Sequence, residues 1–152
     1  MACNKCKNKV KSTIAFVNSA AQPIAATNTI VNPVVLALGS KVSNTGIALD
    51  LDSNAISVDA SGIYRIAANV DILGTTAGDI TFAIAMDGNI LPESIATITM
   101  VVDIAKLLAI EVVRPINVCN AFTEHNFSLV AYSGGTGAGT VTRVSGNAIK
   151  LG

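Results

Sequence analysis

From Ser12 onward the apolar and polar residues of this chain alternate with a period of two rather than 3.6. That is the pattern of strands with one buried face. In Tyr64 to Ile72, the residues Tyr64, Ile66, Ala68, Val70 and Ile72 fall on one face, and Arg65, Asn69 and Asp71 on the other. The stretch "DITFAIAMDGNIL" repeats the pattern through Ile80, Phe82, Ile84 and Met86, and its Asp87-Gly88 supplies a hairpin turn. "HNFSLVAYSGG" and "TVTRVSGNAIKLG" read as two further strands around the Gly-rich "SGGTGAGT". Turn signals recur at 44–46, 52–54, 61–62, 75–79, 87–89 and 133–139. Many short strands with regular turns predict an all-β sandwich or barrel. One segment is ambiguous: in "MVVDIAKLLAIEVVRP" the helix formers predict one helical turn at Asp103 to Leu108, whereas the Val pairs and Pro115 favour strands.

The first twelve residues stand apart. They carry Lys5, Lys7, Lys9 and Lys11, a charge of +4, which leaves six basic and ten acidic residues, a net −4, in the other 140. We read residues 1–12 as a basic arm, an anchor or linker, and residues 13–152 as one β domain. No internal repeat or second domain is visible. In extended conformation the four lysines point to one side, with Cys6 and Val10 on the other, so Cys6, Val10 and Ile14 are the apolar candidates for docking the arm.

Composition sharpens this picture. Only 13% of residues are charged, against about 25% in an ordinary soluble domain. Such a chain is expected to cover surface in an assembly or to face water with Ser, Thr, Asn and Gly. A formal net charge of zero argues against nucleic-acid binding. Membrane insertion is not expected, because the most apolar stretch, Ile98 to Val113, is cut by Asp103, Lys106 and Glu111. The start, "MACNKCKNKVKS", is basic but lacks a compact apolar segment after it, so no secretion leader is expected.

Candidate chemistry is sparse. His125 is the only histidine, so any Ser-His-Asp or Cys-His arrangement must use it. Asp50, Asp52 and Asp59 are near one another in sequence, but in turn-like contexts where Asp serves the backbone. Gly134 to Gly139, "GGTGAG", looks like a phosphate-cradling loop, yet the β-forming "TVTRV" follows where a helix is needed. Cys3 and Cys6 form one C-x-x-C, half of a structural zinc site. Cys119 reads as a small buried hydrophobe. We therefore expect no catalytic residue, no cofactor and no metal, with Cys3 and Cys6 as the only weak metal candidates.

The run "NTGIALDLDSNAISVDASGIYRIAANVDI", Asn44 to Ile72, resembles the central signature of the tumour necrosis factor and complement-head superfamily. In that pattern an Asn/Gly turn precedes a short strand toward an Asp, a second short strand, and a Gly-x-Tyr that opens a long core strand. Here these are Asn44 and Gly46, Asp50 or Asp52, Ile56 and Val58, and Gly62 with Tyr64. "STIAFVNSAAQPI" resembles the family's first strand, "FAIAMDGNIL" the strand and hairpin of its bacterial members, and "TVTRVSGNAIKLG" its terminal strand. The resemblance spans residues 13 to 152. It implies a ten-stranded antiparallel jelly-roll sandwich that forms a homotrimer and does structural or binding work rather than catalysis. Phe16, Tyr64, Ile66, Phe82, Phe127, Leu129 and Tyr132 are then the expected residues of the trimer core or interface, and Lys5, Lys7, Lys9, Lys11 and Val10 those of arm anchoring.

Stalkless phage and bacterial versions of this head commonly serve as knobs. The expected function is a virion accessory protein, a phage head fibre or capsid decoration. It would be made in the host cytoplasm, exposed on the virion surface, and attached to the major capsid or another virion protein through its arm. The alternatives are a bacterial surface or spore-coat head, which a neighbouring Gly-X-Y stalk would mark, and a sugar- or receptor-binding module of a tail fibre using Tyr132.

Overall fold

A computed structural model describes residues 11–52, 54–118 and 124–152. The strands in chain order are β1 (Thr13–Asn18), β2 (Gln22–Ile24), β3 (Val34–Leu36), β4 (Ser40–Thr45), β5 (Leu49–Asp52), β6 (Ala55–Val58) and β7 (Gly62–Thr76). There follow β8 (Gly78–Met86), β9 (Asn89–Ile90), a 3-10 turn at Pro92–Ser94, β10 (Ala96–Met100), β11 (Ala105–Ile116), β12 (His125–Ser133) and β13 (Ala138–Lys150). The first sheet has the order β11-β7-β13-β1-β4, with β2 added to β13. The second runs β10-β8-β12-β6-β5, with β3 on β12 and β9 on β8. Neighbouring strands pair antiparallel, as a jelly-roll sandwich requires. Thirteen strands appear among the described residues instead of ten. The three shortest, β2, β3 and β9, are two- or three-residue additions to β13, β12 and β8.

The sheets close on the apolar faces that the alternation marks. Tyr64, Ile66, Ala68, Val70 and Ile72 point inward from β7, while Ile80, Phe82 and Ile84 do so from β8. Ile14 and Phe16 of β1, Phe127 and Leu129 of β12, and Val144 and Ala148 of β13 fill the space between. Removing a buried ring such as Phe82 typically costs about 3–5 kcal/mol, so this layer dominates stability.

Two features depart from the sequence reading. Residues 105–116 form one unbroken strand, with no helical turn between Asp103 and Leu108. β11 pairs with β7 along its whole length, and the long antiparallel ladder outweighs local helix propensity. Pro115 is tolerated because β11 lies at the sheet edge. Ile14, expected to help dock the arm, is instead fully buried in the core. Its parity along β1 matches Phe16 and points it between the sheets, so it cannot serve as an external anchor.

The head of β7 explains the Gly-x-Tyr motif. The Tyr64 hydroxyl donates a 2.6 Å hydrogen bond to the Ala60 carbonyl four residues upstream, which ties the strand to the turn before it. Burial, and then the nearby Asp59 carboxylate, push the phenol up to about 12. Gly62 lies against the chain end: the Ile63 N–H donates to the Gly152 carbonyl and the Leu151 N–H to the Ile63 carbonyl. A Cβ on Gly62 would stand 2.5 Å from the Gly152 oxygen.

β7 also gives the head two distinct ends. At its start lie Gly152 and Ser12, whose carbonyl accepts from the Lys150 N–H and whose hydroxyl donates to the Thr45 carbonyl. At its finish, Gly74 exchanges hydrogen bonds with Asp103 and Ile104, and the Gly-rich loop after β12 packs on Gly78.

Candidate functional site

Among the described residues, His125 and Asp50 each have a close charged or polar partner. His125 Nδ1 lies 2.6 Å from Asp87 Oδ2, and the other Asp87 oxygen accepts the Asn126 N–H. Partial burial alone would raise the Asp87 carboxyl, but these two partners outweigh it and hold it below its usual range. Asp87 sits at φ 51° in the β8–β9 turn, followed by Gly88 at φ 84°, so the His–Asp contact braces a hairpin with a left-handed backbone. Asp50 accepts from Lys41 Nζ at 2.8 Å; that bond, the Leu51 N–H and the Lys41 charge keep its carboxyl low. Asp59 donates its backbone N–H to the Ala48 carbonyl after β6. Asp50 thus lies within β5 and Asp52 closes it, while Asp59 follows β6.

Two buried serines have structural roles. Ser94 Oγ accepts the Ile84 N–H and lies within hydrogen-bonding distance of the Leu91 and Ile84 carbonyls, which seats the 3-10 turn on β8. Ser133 Oγ donates to the Gly137 carbonyl and accepts the Gly135 N–H, which folds the Gly-rich segment into a hairpin loop leading directly into β13. Among the described residues no cluster of three or more His, Cys, Asp or Glu could hold a metal ion. Cys3, Cys6, Cys119, Lys5, Lys7, Lys9 and Val10 lie outside the described residues. Lys11 is exposed, and Ser12 beside it is already buried.

Of the seven residues expected at the trimer core or interface, Phe16, Tyr64, Ile66, Phe82, Phe127 and Leu129 are at most 3% exposed. They lie between the sheets of one chain, where they shape the outer faces from beneath. Tyr132 is half-buried on the outside of the second sheet, opposite Thr81 and on the same face as Ala83, Ala85 and Val130.

The outer face of the first sheet is the strongest candidate for assembly. Strand register lays it out in four rows. Thr13, Ile149, Arg65 and Val113 form the first, and Ala15, Asn147, Ala67 and Glu111 the second. Val17, Ser145, Asn69 and Ala109 form the third, and Arg143, Asp71 and Leu107 the fourth. The middle rows are mostly small, so they form a trough. Arg65, Ala67, Asn69, Ala109, Glu111 and Asn147 line a hollow of about 450 Å³ there. The charges compensate one another within the face. Arg65 and Glu111 pair at 2.9 Å, which lowers the Glu111 pKa and raises that of Arg65, and Arg143 stands opposite Asp71. Leu107 and Val113 flank the trough at 67% and 51% exposure. Sequence reasoning places Ala67 and Asn69 on this face. It misses Ala15, Leu107, Ala109, Val113 and Asn147, because only the register of β1, β11 and β13 brings them alongside.

By sequence, no known family profile and no curated protein matches the chain. By structure, murine APRIL at pH 5.0 aligns with 93% of this chain and 100% of its own, at a TM-score of 0.66 and 11% identity. The PRD1 vertex protein P5 aligns with 93% of this chain and 97% of its own, at a TM-score of 0.51 and 16% identity. The globular domain of zebrafish complement 1qA aligns with 94% and 98%, at a TM-score of 0.53 and 6% identity. With two antiparallel sheets and these likenesses, the chain has a jelly-roll fold like those of murine APRIL and the complement 1qA globular domain.

Proposed function

We propose that the protein is a non-enzymatic structural component of a phage particle, a homotrimeric knob displayed on the virion surface as a head fibre or capsid decoration. The observation that carries this reading is the likeness of nearly the whole head to the PRD1 vertex protein P5. The layout of the molecule supports it. Lys11 and Ser12 leave the sandwich at the end where β7 begins, so a basic arm there can reach a shell. The opposite end, with the Gly-rich loop and the turn at 101–104, points away from that shell. At that far end Val101, Val102 and Ile104 are each about half exposed. The low charge of the head supports assembly around a shared axis, since large obligate interfaces are apolar and depleted of charge.

The test is the protein's place in purified particles of the virus that encodes it. Mass spectrometry should find the chain in copies divisible by three, and antibody labelling should mark the outer surface. Absence from washed particles, with abundant protein in the infected cell, would overturn the proposal.

A further inference from the structure

Among the described residues, the aromatic side chains Phe16, Tyr64, Phe82 and Phe127 are buried in the core, and only Tyr132 reaches the surface. β12 turns Phe127, Leu129 and Ala131 inward, so Val130 and Tyr132 face outward from the second sheet. Register sets Tyr132 opposite Thr81 on β8, and Thr81 opposite Thr97 on β10. One row toward the loops, Asp79 stands opposite Thr99. One row the other way, Val130 and Ala83 pair and are buried even though they belong to the outer face. They make a low apolar floor beside the ring. The polar groups of these rows are mostly hydroxyls. Thr81 Oγ1 and Thr97 Oγ1 lie 2.8 Å apart and either can donate. Thr99 Oγ1 donates to Asp79 Oδ1 at 2.7 Å, and a carboxylate has room for further donors.

We propose that this face binds an uncharged saccharide, which lays its C–H face on the Tyr132 ring and turns its hydroxyls to Thr81, Thr97, Thr99 and Asp79. A sugar ring has one apolar face and a rim of hydroxyls, each both donor and acceptor. An aromatic ring beside a low floor takes the first, and a threonine pair with no fixed donor takes the second. Charge selects the class of sugar. Asp79 is the one charged residue in these rows, and no Lys or Arg stands there to hold a phosphate, sulfate or uronate. The second sheet lies across the sandwich from the trough, so the face stays open when copies pack on the first sheet. A trimer then carries three such sites, and weak single contacts add up on a glycan-coated surface.

The full chain on an array of neutral and anionic oligosaccharides tests this, with saturation-transfer NMR on the best neutral hexose or N-acetylhexosamine oligomer. We expect binding to neutral glycans that persists in 0.5 M salt. Tyr132→Ala should weaken it at least tenfold, and Tyr132→Phe, which keeps the ring, should retain most of it. Thr97→Val, at an exposed position, should weaken it severalfold with an unchanged melting midpoint. No neutral glycan bound above background would overturn the site, as would full binding by a folded Tyr132→Ala chain. Binding confined to anionic glycans and lost on deleting residues 2–11 would assign it to the arm lysines and overturn the site too. A chain present in particles but blind to neutral glycans would leave the virion reading standing without this site.

Discussion

Tyr64 shows at the residue scale how one side chain joins a turn to a core. Its phenol is buried, donates to Ala60, and titrates only near 12. A pKa raised from 10.0 to about 12 means that the folded state holds the proton more tightly than the unfolded one. The stabilisation is therefore complete below pH 10 and is lost as pH climbs toward 12, a difference of about 3 kcal/mol at most. Thermal melts between pH 9 and 12 should show this loss in the wild type. Tyr64→Phe should lose about 1 kcal/mol at neutral pH, from the missing hydrogen bond, and show a shallower alkaline decline. An unchanged alkaline profile in that variant would assign the decline to other groups. Tyr64→Asp should prevent folding, because it buries a charge with no partner. Gly62→Ala should cost about 1–3 kcal/mol by driving a methyl against the Gly152 carbonyl, measurable by urea unfolding.

At the scale of elements, β7 and β11 are neighbours that differ in how plainly they can be read. The two faces of β7 differ sharply in polarity, so its alternation is legible residue by residue and its inward set coincides with the buried set. β11 carries Leu107 and Val113 outward as well as Ile110 and Val112 inward. Apolar residues on both faces erase the period of two, and "AKLLAIEVV" then imitates a helix. The same two-sided apolarity marks a strand whose outer face is a candidate for covering. The short strands β2, β3 and β9 are too brief to carry any period, and the register that builds the trough depends on contacts between distant segments. Tyr132 could be recognised as a strand residue but not assigned to a sheet or face from sequence, because that depends on which strands flank β12. The covered-face reading predicts that Ala109→Arg, a change on an exposed strand position, moves the melting midpoint little while abolishing self-association in size-exclusion chromatography. Retention of the full assembly would place the contact on another face.

The whole molecule has one end where residue 11 joins the sandwich and an opposite end formed by loops. Three arms at one end of a trimer would bring twelve lysine charges together, four from each copy. Each exposed ion pair contributes only about 0.2–1 kcal/mol and weakens with salt, so attachment through the arms should depend on ionic strength. With Ile14 occupied in the core, any apolar docking falls to Cys6 and Val10. Deleting residues 2–11 should leave the head assembled but keep it off particles, as quantitative mass spectrometry of purified virions would show; full occupancy by the truncated chain would place the anchor elsewhere. The claim on which the rest depends is that this low-charge head works as a trimer. Sedimentation equilibrium of the full-length protein at micromolar concentration tests it most directly. The account predicts a single species at three times the chain mass of 15.5 kDa, and a folded species at 15.5 kDa would contradict it.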